Sequence, residues 1–206
     1  MLERVTLHVA DLDASARFYG LVLPTLGFDG EGSAWRELRL AVAADGGATT
    51  NLHLGFAAPS REHADAFWRA GTEAGHPDDG EPGARPEYGP DYYGAFLRDP
   101  DDNSAEAVHH EKTEDRHDAV DHLWIRVADL ETADPFYSEV AERAGLGRRP
   151  GENPRRVHFY APGGSFSIVD DGPPSRNVDF ALRAARGPSE RLTDPDGNAI
   201  ELVAGG

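Results

Sequence analysis

The chain has 206 residues, of which 39% are hydrophobic, and a formal net charge of −17. This composition predicts a soluble, cytoplasmic globular protein, because no apolar run is long enough for a membrane span and no signal peptide is recognisable. The acidic charge argues against nucleic acid and membranes as partners, since both are bound through basic patches. The chain has no cysteine, so any metal must be held by His, Asp or Glu.

One segment occurs twice in the chain. Residues 4–19 and 122–137, 118 positions apart, share Val-Ala-Asp-Leu followed by Phe-Tyr. In each copy an alternating apolar run ends at Asp-Leu and is followed by helical spacing, which predicts a strand followed by a helix. The sequence therefore predicts two related halves.

The first half alternates strand and helix patterns. Helices are predicted from Leu12 to about Gly27, where Pro24 shortens the helix, and from Ser60 to Gly75. Strands are predicted at 5–9, 34–40, 40–44, 51–56, 92–98 and 104–109, with a turn at 45–47. Residues 76–91, rich in Pro, Gly and Asp, are interpreted as a loop, and the charged residues 111–118 as an interdomain linker.

The second half repeats this order in a shorter form. The patterns predict a strand from His122, a helix over 131–144, strands at 157–160, 165–169 and 177–182, and a final hairpin at 194–202. The middle strands of the two halves align at an offset of 126 and the hairpins at 95, so 31 residues are missing between these landmarks. This deletion removes the second helix and its long loop.

The paired β-α-β-β-β pattern carries two motifs, V-x-D-L…F-Y and D-P-D-x-N…E, the second at 99–106 and 194–201. Together they resemble the vicinal oxygen chelate superfamily, which includes glyoxalase I, type I extradiol dioxygenases and bleomycin-resistance proteins. The resemblance implies an α+β fold of paired βαβββ modules that form open mixed-sheet barrels. It implies a complete domain at 1–110, a linker at 111–118 and a shortened domain at 119–206.

Catalytic members of that superfamily hold a divalent metal through a His on the first strand, usually a second His on a later strand, and a Glu on the last strand. These ligands leave coordination positions open for two adjacent substrate oxygens. The positions that match this motif are Arg4, His53 and Glu106 in the first half and His122, Asp179 and Glu201 in the second. Neither set is the usual His-His-Glu.

In the first half, Arg4 suggests a site without metal. We expect its guanidinium to stand in the place of the metal and to pair with Glu106. His8 shares a strand face with Arg4, but four strand residues separate their Cα atoms by about 13 Å, which argues against His8 as a substitute ligand. The pocket could then bind an organic ligand, or its residues could form an ordinary polar interior. The candidate ligand-binding residues are Arg4, His8, His53, Tyr93 and His110.

In the second half, His122, Asp179 and Glu201 suit Fe, Mn, Zn or Ni, because one imidazole and two carboxylates are common ligands of these metals. For the first half, a metal through His53 and Glu106 and no metal at all both remain open. Trp124 and Arg126 lie on the strand face of His122, where they could stack on or pair with an anionic ligand.

Two functions follow from these alternatives. The first is a metal-dependent glyoxalase-like or dioxygenase-like enzyme that acts on a small molecule, with Glu106 and Glu201 as catalytic carboxylates. The second is a metal-free protein that binds or sequesters a small ligand, as bleomycin-resistance proteins do. A purely structural role for the shortened half is a third reading, and both a monomer and a homodimer are compatible with the sequence.

Overall fold

A computed structural model describes residues 1–44, 47–113, 118–150 and 154–205. The predicted turn at 45–47 and the predicted linker at 111–118 lie partly outside these residues. The helices are α1 (Leu12–Val22), α2 (Arg61–Glu73) and α3 (Leu130–Arg143). The strands are β1 (Leu2–Val9), β2 (Ala34–Trp35), β3 (Leu38–Val42), β4 (Leu52–Ala57), β5 (Asp78–Ala84), β6 (Tyr93–Arg98), β7 (Ser104–His109), β8 (Val120–Arg126), β9 (Gly147–Pro150), β10 (Arg156–Ala161), β11 (Gly164–Val169), β12 (Val178–Ala184), β13 (Glu190–Thr193) and β14 (Ala199–Ala204).

The strands form two mixed sheets, and each sheet takes strands from both halves of the chain. The larger sheet has the order β5-β6-β7-β4-β8-β11-β10-β9, and the smaller has the order β13-β14-β12-β1-β3-β2. The halves meet where β4 pairs antiparallel with β8 and where β1 pairs antiparallel with β12. The predicted α+β fold of βαβββ modules in open mixed sheets is confirmed.

Alternation along the central strands separates an apolar face from a polar one. In β4, Leu52, Leu54 and Phe56 point into the hydrophobic core, whereas His53 and Gly55 occupy the opposite face. All six residues of this strand are buried, so the polar face is covered as well. Because a buried polar group without a partner is costly, the side chains of that face must satisfy one another.

The repeated sequence motifs hold each helix against a tight turn. The hydroxyl of Tyr19 on α1 donates to Asp99 at 2.8 Å, and Asp99 also accepts from the backbone N–H of Asn103 at 2.8 Å. The Asn103 side chain in turn accepts from the backbone N–H of Leu52 at 3.1 Å, which fixes the start of β4. In the second half Tyr137, Asp194, Asn198 and Val178 make the equivalent contacts. The F-Y and D-P-D-x-N motifs therefore form one buried structural unit.

Two predicted boundaries differ from the structure. The first helix ends at Val22 and continues as a 3₁₀ turn over Leu23–Leu26, because Pro24 has no N–H and Gly27 then closes the turn at a φ of 83°. The loop predicted at 76–91 contains β5, which pairs with β6 through two register shifts. Gly-rich and Pro-rich strands are tolerated at a sheet edge, where few ladder hydrogen bonds are needed.

The second half has a shorter connection between its middle strand and its last hairpin. The chain passes from β12 to β13 through residues 185–189, which are described and contain no helix. None of the described helices is both long enough and apolar enough to cross a bilayer.

Candidate metal centre

Three buried ligand-type side chains converge on the polar face of the larger sheet. His53 comes from β4, Glu106 from β7 and His122 from β8, and these are neighbouring strands in the order β7-β4-β8. His53 Nε2 lies 2.9 Å from Glu106 Oε2 and 3.1 Å from His122 Nε2, and His122 Nε2 lies 3.2 Å from the same Glu106 oxygen. The three atoms form a nearly equilateral triangle.

This triangle has the dimensions of a three-ligand metal site. Two ligand bonds of about 2.1 Å at a right angle place the ligand atoms about 3 Å apart. The three measured separations, 2.9, 3.1 and 3.2 Å, agree with that value. Two imidazoles and one carboxylate on one side of an ion suit Fe, Mn, Zn or Ni and leave positions for other oxygens. The residues present therefore fit a divalent metal.

A β-bulge orients His122. In the β4–β8 ladder Gly55 pairs with His122 and Phe56 pairs with Val120, so Asp121 is the extra residue. Bulges turn a side chain from its regular direction. Here the Asp121 carboxylate lies 2.9 Å from His122 Nδ1. A carboxylate on Nδ1–H keeps the proton there and directs the Nε2 lone pair towards a metal.

The other two ligands also have partners behind them. Ser104 Oγ lies 3.0 Å from His53 Nδ1, so that Nε2 of this ring points to the centre. The Tyr92 hydroxyl donates to Glu106 Oε1 at 2.8 Å, which leaves Oε2 for the triangle. Each of the three candidate ligands is thus held through the atom that faces away from the centre.

Without a metal, the cluster carries one proton, on His122, that a metal ion could displace. Burial lowers the pKa of His122, but the hydrogen bonds to Asp121 and Glu106 outweigh burial and raise this pKa to about 9. Burial likewise opposes ionisation of Glu106, whose pKa is nevertheless lowered to about 2 by hydrogen bonds with His122 and His53. Burial lowers the pKa of His53, which stays neutral. At neutral pH the charged groups are therefore an imidazolium and a carboxylate, and a cation can replace the His122 proton.

Two glycines make room for the ligands. A Cβ on Gly55 would lie 2.2 Å from the His122 ring, and a Cβ on Gly94 would lie 2.6 Å from Glu106 Oε1. Gly55 lies opposite His122 in the ladder, so the ring rests directly on the backbone of β4.

A cavity of about 140 Å³ opens onto the cluster. Its walls include Tyr88, Tyr92, Phe96, Trp124, Arg98 and Arg126. This volume is close to that of a cavity of about 150 Å³ known to hold benzene, so a single-ring molecule is the size that fits.

Comparisons with known proteins support the fold seen here. The chain matches no protein-family model and no curated protein sequence. Glyoxalase I from Zea mays is 16% identical, with a TM-score of 0.63, and the match covers 98% of this chain and 92% of that chain. A putative dioxygenase from Bacillus subtilis subsp. subtilis str. 168 is 11% identical, with a TM-score of 0.63 and coverage of 98% and 84%.

A third protein is closer in sequence. A glyoxalase/bleomycin resistance protein from Albidiferax ferrireducens T118 is 35% identical over 52% of this chain and 97% of its own, with a TM-score of 0.45. The chain belongs to the vicinal oxygen chelate superfamily. Members of this superfamily share the fold but differ in activity, so the function has to be argued from the site.

The superfamily positions are grouped differently from the expectation. His122 joins His53 and Glu106, whereas Asp179 and Glu201 lie on the smaller sheet with Arg4. The expected ion pair between Arg4 and Glu106 is wrong, because Arg4 binds Glu201 at 2.7 Å and lies 3.7 Å from Asp179. The reason is that β1 pairs with β12 rather than with β4.

The smaller sheet therefore holds a counterpart of the metal centre without its first imidazole. Arg4 takes the superfamily position of His122, and its guanidinium lies between the two carboxylates where a metal would otherwise bind. His8 Nε2 lies 3.8 Å from Asp179, and Arg191 lies 3.1 Å from the same carboxylate. Arginine thus compensates the charge of this second polar cluster.

The other predicted ligand-binding residues fall in three places. Trp124 lies beside the centre, with its ring 5.2 Å from that of His53, and Arg126 lines the cavity. His110 lies behind the centre, 3.4 Å from Asp121. Tyr93 differs from the prediction, since its hydroxyl donates to Asp65 of α2 on the far side of the sheet.

Sequence reasoning missed Tyr92 and Asp121. Tyr92 could have been found by alternation, because Phe96 pairs with Glu106, and Tyr92 has the same parity as Phe96. Asp121 carries no such signal, since regular alternation would direct it away from the His122 face.

Proposed function

We propose that this protein is a small-molecule metalloenzyme of the glyoxalase or dioxygenase kind, with one divalent metal held by His53, Glu106 and His122. The observation that carries the proposal is the triangle of ligand atoms with edges of 2.9, 3.1 and 3.2 Å, supported by Asp121 on His122 Nδ1. Metal-bound imidazoles commonly have a carboxylate in this position.

The bound metal would act as a Lewis acid on two adjacent oxygens of a small molecule. The chain's own groups supply position and proton handling. Tyr92 donates to Glu106 Oε1, so this hydroxyl and this carboxylate form a hydrogen-bonded pair at the cavity wall. Trp124 and Phe96 provide apolar walls that exclude water from the bound molecule.

Metal analysis after dialysis tests the assignment. We expect one equivalent of divalent metal in the wild-type protein and its loss in His53→Ala and His122→Ala, because each change removes one ligand. Asp179→Asn and Glu201→Gln are the matched controls, since they change the equivalent positions of the other sheet and should leave the metal in place. Retention in the first pair and loss in the second would place the metal on the smaller sheet and overturn the proposal.

A metal-free binding protein is the second candidate. It is favoured by the fact that the triangle is electrostatically satisfied when His122 carries a proton, since Glu106 and Asp121 both contact its ring. On this reading the cavity binds an aromatic ligand through Tyr88, Phe96 and Trp124. The absence of metal in the dialysed protein, together with tight binding of such a ligand, would decide for this alternative.

A further inference from the structure

Four arginines lie at or beside the cavity although the protein is strongly acidic. The chain carries 37 Asp and Glu residues against 20 Lys and Arg. Nevertheless Arg98 and Arg126 line the cavity, and the guanidiniums of Arg85 and Arg156 lie over two of its aromatic walls. In a protein with a net charge of −17, this concentration of arginine requires a reason.

Two of the four arginines are neutralised by carboxylates. Arg98 pairs with Asp79 at 2.6 Å and Arg126 pairs with Asp171 at 2.9 Å. Arg85 donates to the backbone carbonyls of Glu81 and Ala84.

Arg156 is different. It is half-buried at the start of β10, and its guanidinium carbon lies 4.3 Å from the centroid of the Trp124 ring. Its hydrogen bond goes to Ser167 Oγ at 3.1 Å, and among the described residues no carboxylate forms an ion pair with it. A guanidinium has five N–H donors, so several remain available. Burial lowers the pKa of Arg156 and outweighs the opposing effect of Tyr88 and Tyr92 nearby.

The sheet register places Arg156 on the face of the metal centre. Trp124 pairs with Ser167, and Ser167 pairs with His158, two residues after Arg156. His158 pairs with Arg149 in the next ladder, so a second arginine lies on the same face. Two strand spacings of about 4.8 Å separate this group from the strand of His122. A small molecule at the centre can therefore reach Arg156 past Trp124.

We propose that the molecule bound in this cavity is an anion, a single-ring carboxylate whose charged group binds Arg156 while its ring stacks against Trp124. This proposal rests on the proposed function in one respect: the end of the molecule opposite the carboxylate is taken to lie next to His53, Glu106 and His122. A planar guanidinium can donate two parallel hydrogen bonds to a planar carboxylate, and the cation–π contact with Trp124 holds the guanidinium in place. The ligand carboxylate supplies the charged partner that Arg156 does not find among the described residues.

The test compares two probes of the same shape and different charge, 3,4-dihydroxybenzoate and 3,4-dihydroxybenzamide. Both carry two adjacent oxygens, so both can bind the metal-loaded protein. Calorimetry should show that the benzoate binds at least about tenfold more tightly, which corresponds to one charge-assisted pair. In Arg156→Gln we expect this preference to disappear while the affinity for the benzamide is unchanged.

Two further variants control for folding and for general charge. Arg156→Lys keeps the positive charge but cannot donate two parallel hydrogen bonds, so it should retain part of the preference for the benzoate. Arg155→Gln removes the neighbouring arginine, which pairs with Asp170, and should retain all of it. Equal affinity for the two probes in the wild-type protein, or a preference that persists in Arg156→Gln, would refute the proposed anion site.

A metal-free arm separates this proposal from the proposed function. Benzoate and benzamide, which lack adjacent oxygens, are titrated into the protein in the presence of a chelator. A benzoate preference that depends on Arg156 supports the anion site even when the dialysed protein has no metal. Stoichiometric metal combined with no preference in either arm overturns the anion site and leaves the metal centre standing.

Discussion

At the scale of single residues, the centre depends on side chains that do not themselves face the metal position. Asp121 contacts His122 through Nδ1, the atom opposite the triangle. The corresponding residue of the first strand, Glu3, is also the extra residue of a bulge, but it pairs with Arg183 at the surface. A bulge therefore supports a candidate metal ligand in one sheet and an exposed ion pair in the other.

Asp121→Asn tests this contribution. An amide accepts from Nδ1–H less strongly than a carboxylate, so we expect metal affinity to fall by about 10–100-fold with the fold intact. Competition with a chromogenic chelator measures the affinity. Glu3→Gln is the matched control, because it changes the equivalent bulge of β1 and should leave affinity unaltered. An Asp121→Asn protein with wild-type affinity would show that the carboxylate does not tune His122.

His158 predicts a dependence of stability on pH. Burial, together with Arg156 and Arg149, lowers its folded-state pKa to about 4. Because the unfolded side chain has a pKa of about 6.5, protonation favours the unfolded state as the pH falls from 6.5 towards 4.

Urea unfolding with a chelator present, at pH 7 and at pH 5, measures this effect. Between these two values we expect the wild type to lose about 1–2 kcal/mol more than His158→Gln, a figure that allows for the partial solvent exposure of the ring. Between pH 7 and pH 8 the two proteins should change in parallel. Equal losses at low pH would mean that the imidazole protonates as easily in the folded state as in the unfolded one.

At the scale of elements, β4 supplies both a ligand and the space for another. Gly55→Ala would place a methyl group 2.2 Å from the His122 ring. We expect the ring to be displaced, metal to be lost and unfolding free energy to fall by about 1–3 kcal/mol.

Metal content and denaturant titration measure the two effects of Gly55→Ala. Gly20→Ala in α1 is the control, since a Cβ there meets Trp35 at an ordinary 3.7 Å. This change should stabilise the helix by about 0.5–1 kcal/mol. Retention of stoichiometric metal in Gly55→Ala would show that the ring does not need the glycine backbone.

Some secondary-structure elements can be predicted from the sequence and others cannot. Local patterns predict β7 at its observed bounds, whereas the positions His53, Glu106 and His122 come from the superfamily resemblance. The edge strand β5 was missed because its Gly-rich and Pro-rich sequence is stabilised by pairing with β6 rather than by its own propensity. The β6–β7 register puts Tyr92 and not Tyr93 on the face of Glu106, and this register is not visible in the local sequence of the hairpin.

At the scale of the whole molecule, the sequence does not reveal that strands of one half pair with strands of the other. The grouping of ligands follows from the β4–β8 and β1–β12 ladders, and residues 55 and 122 are far apart in the chain. No local pattern distinguishes this pairing from one within each half, since both bury the same apolar faces. The superfamily motif therefore gives the three candidate ligand positions, but it does not give their partition between the two sheets.

The interlocked pairing predicts that the halves remain together without a covalent connection. The test introduces a protease site into the linker predicted from sequence at 111–118 and cuts the folded protein there. Because β4–β8 and β1–β12 are both ladders between halves, we expect the cut halves to elute as one species and to keep the metal. Size-exclusion chromatography with metal analysis measures this. Separation into two folded fragments, or loss of metal on cutting alone, would contradict the prediction.

The β1–β12 ladder also determines the order in which the protein can assemble during synthesis. β1 is synthesised long before its antiparallel partner, which begins at Val178, so the smaller sheet remains incomplete until β12 has emerged. The larger sheet acquires β8 earlier, and with it the third ligand. The three candidate ligands can therefore come together while one edge of β1 is still unpaired, because β3 occupies only its other edge. Until β12 arrives, that open edge is the part of the chain most in need of protection from aggregation.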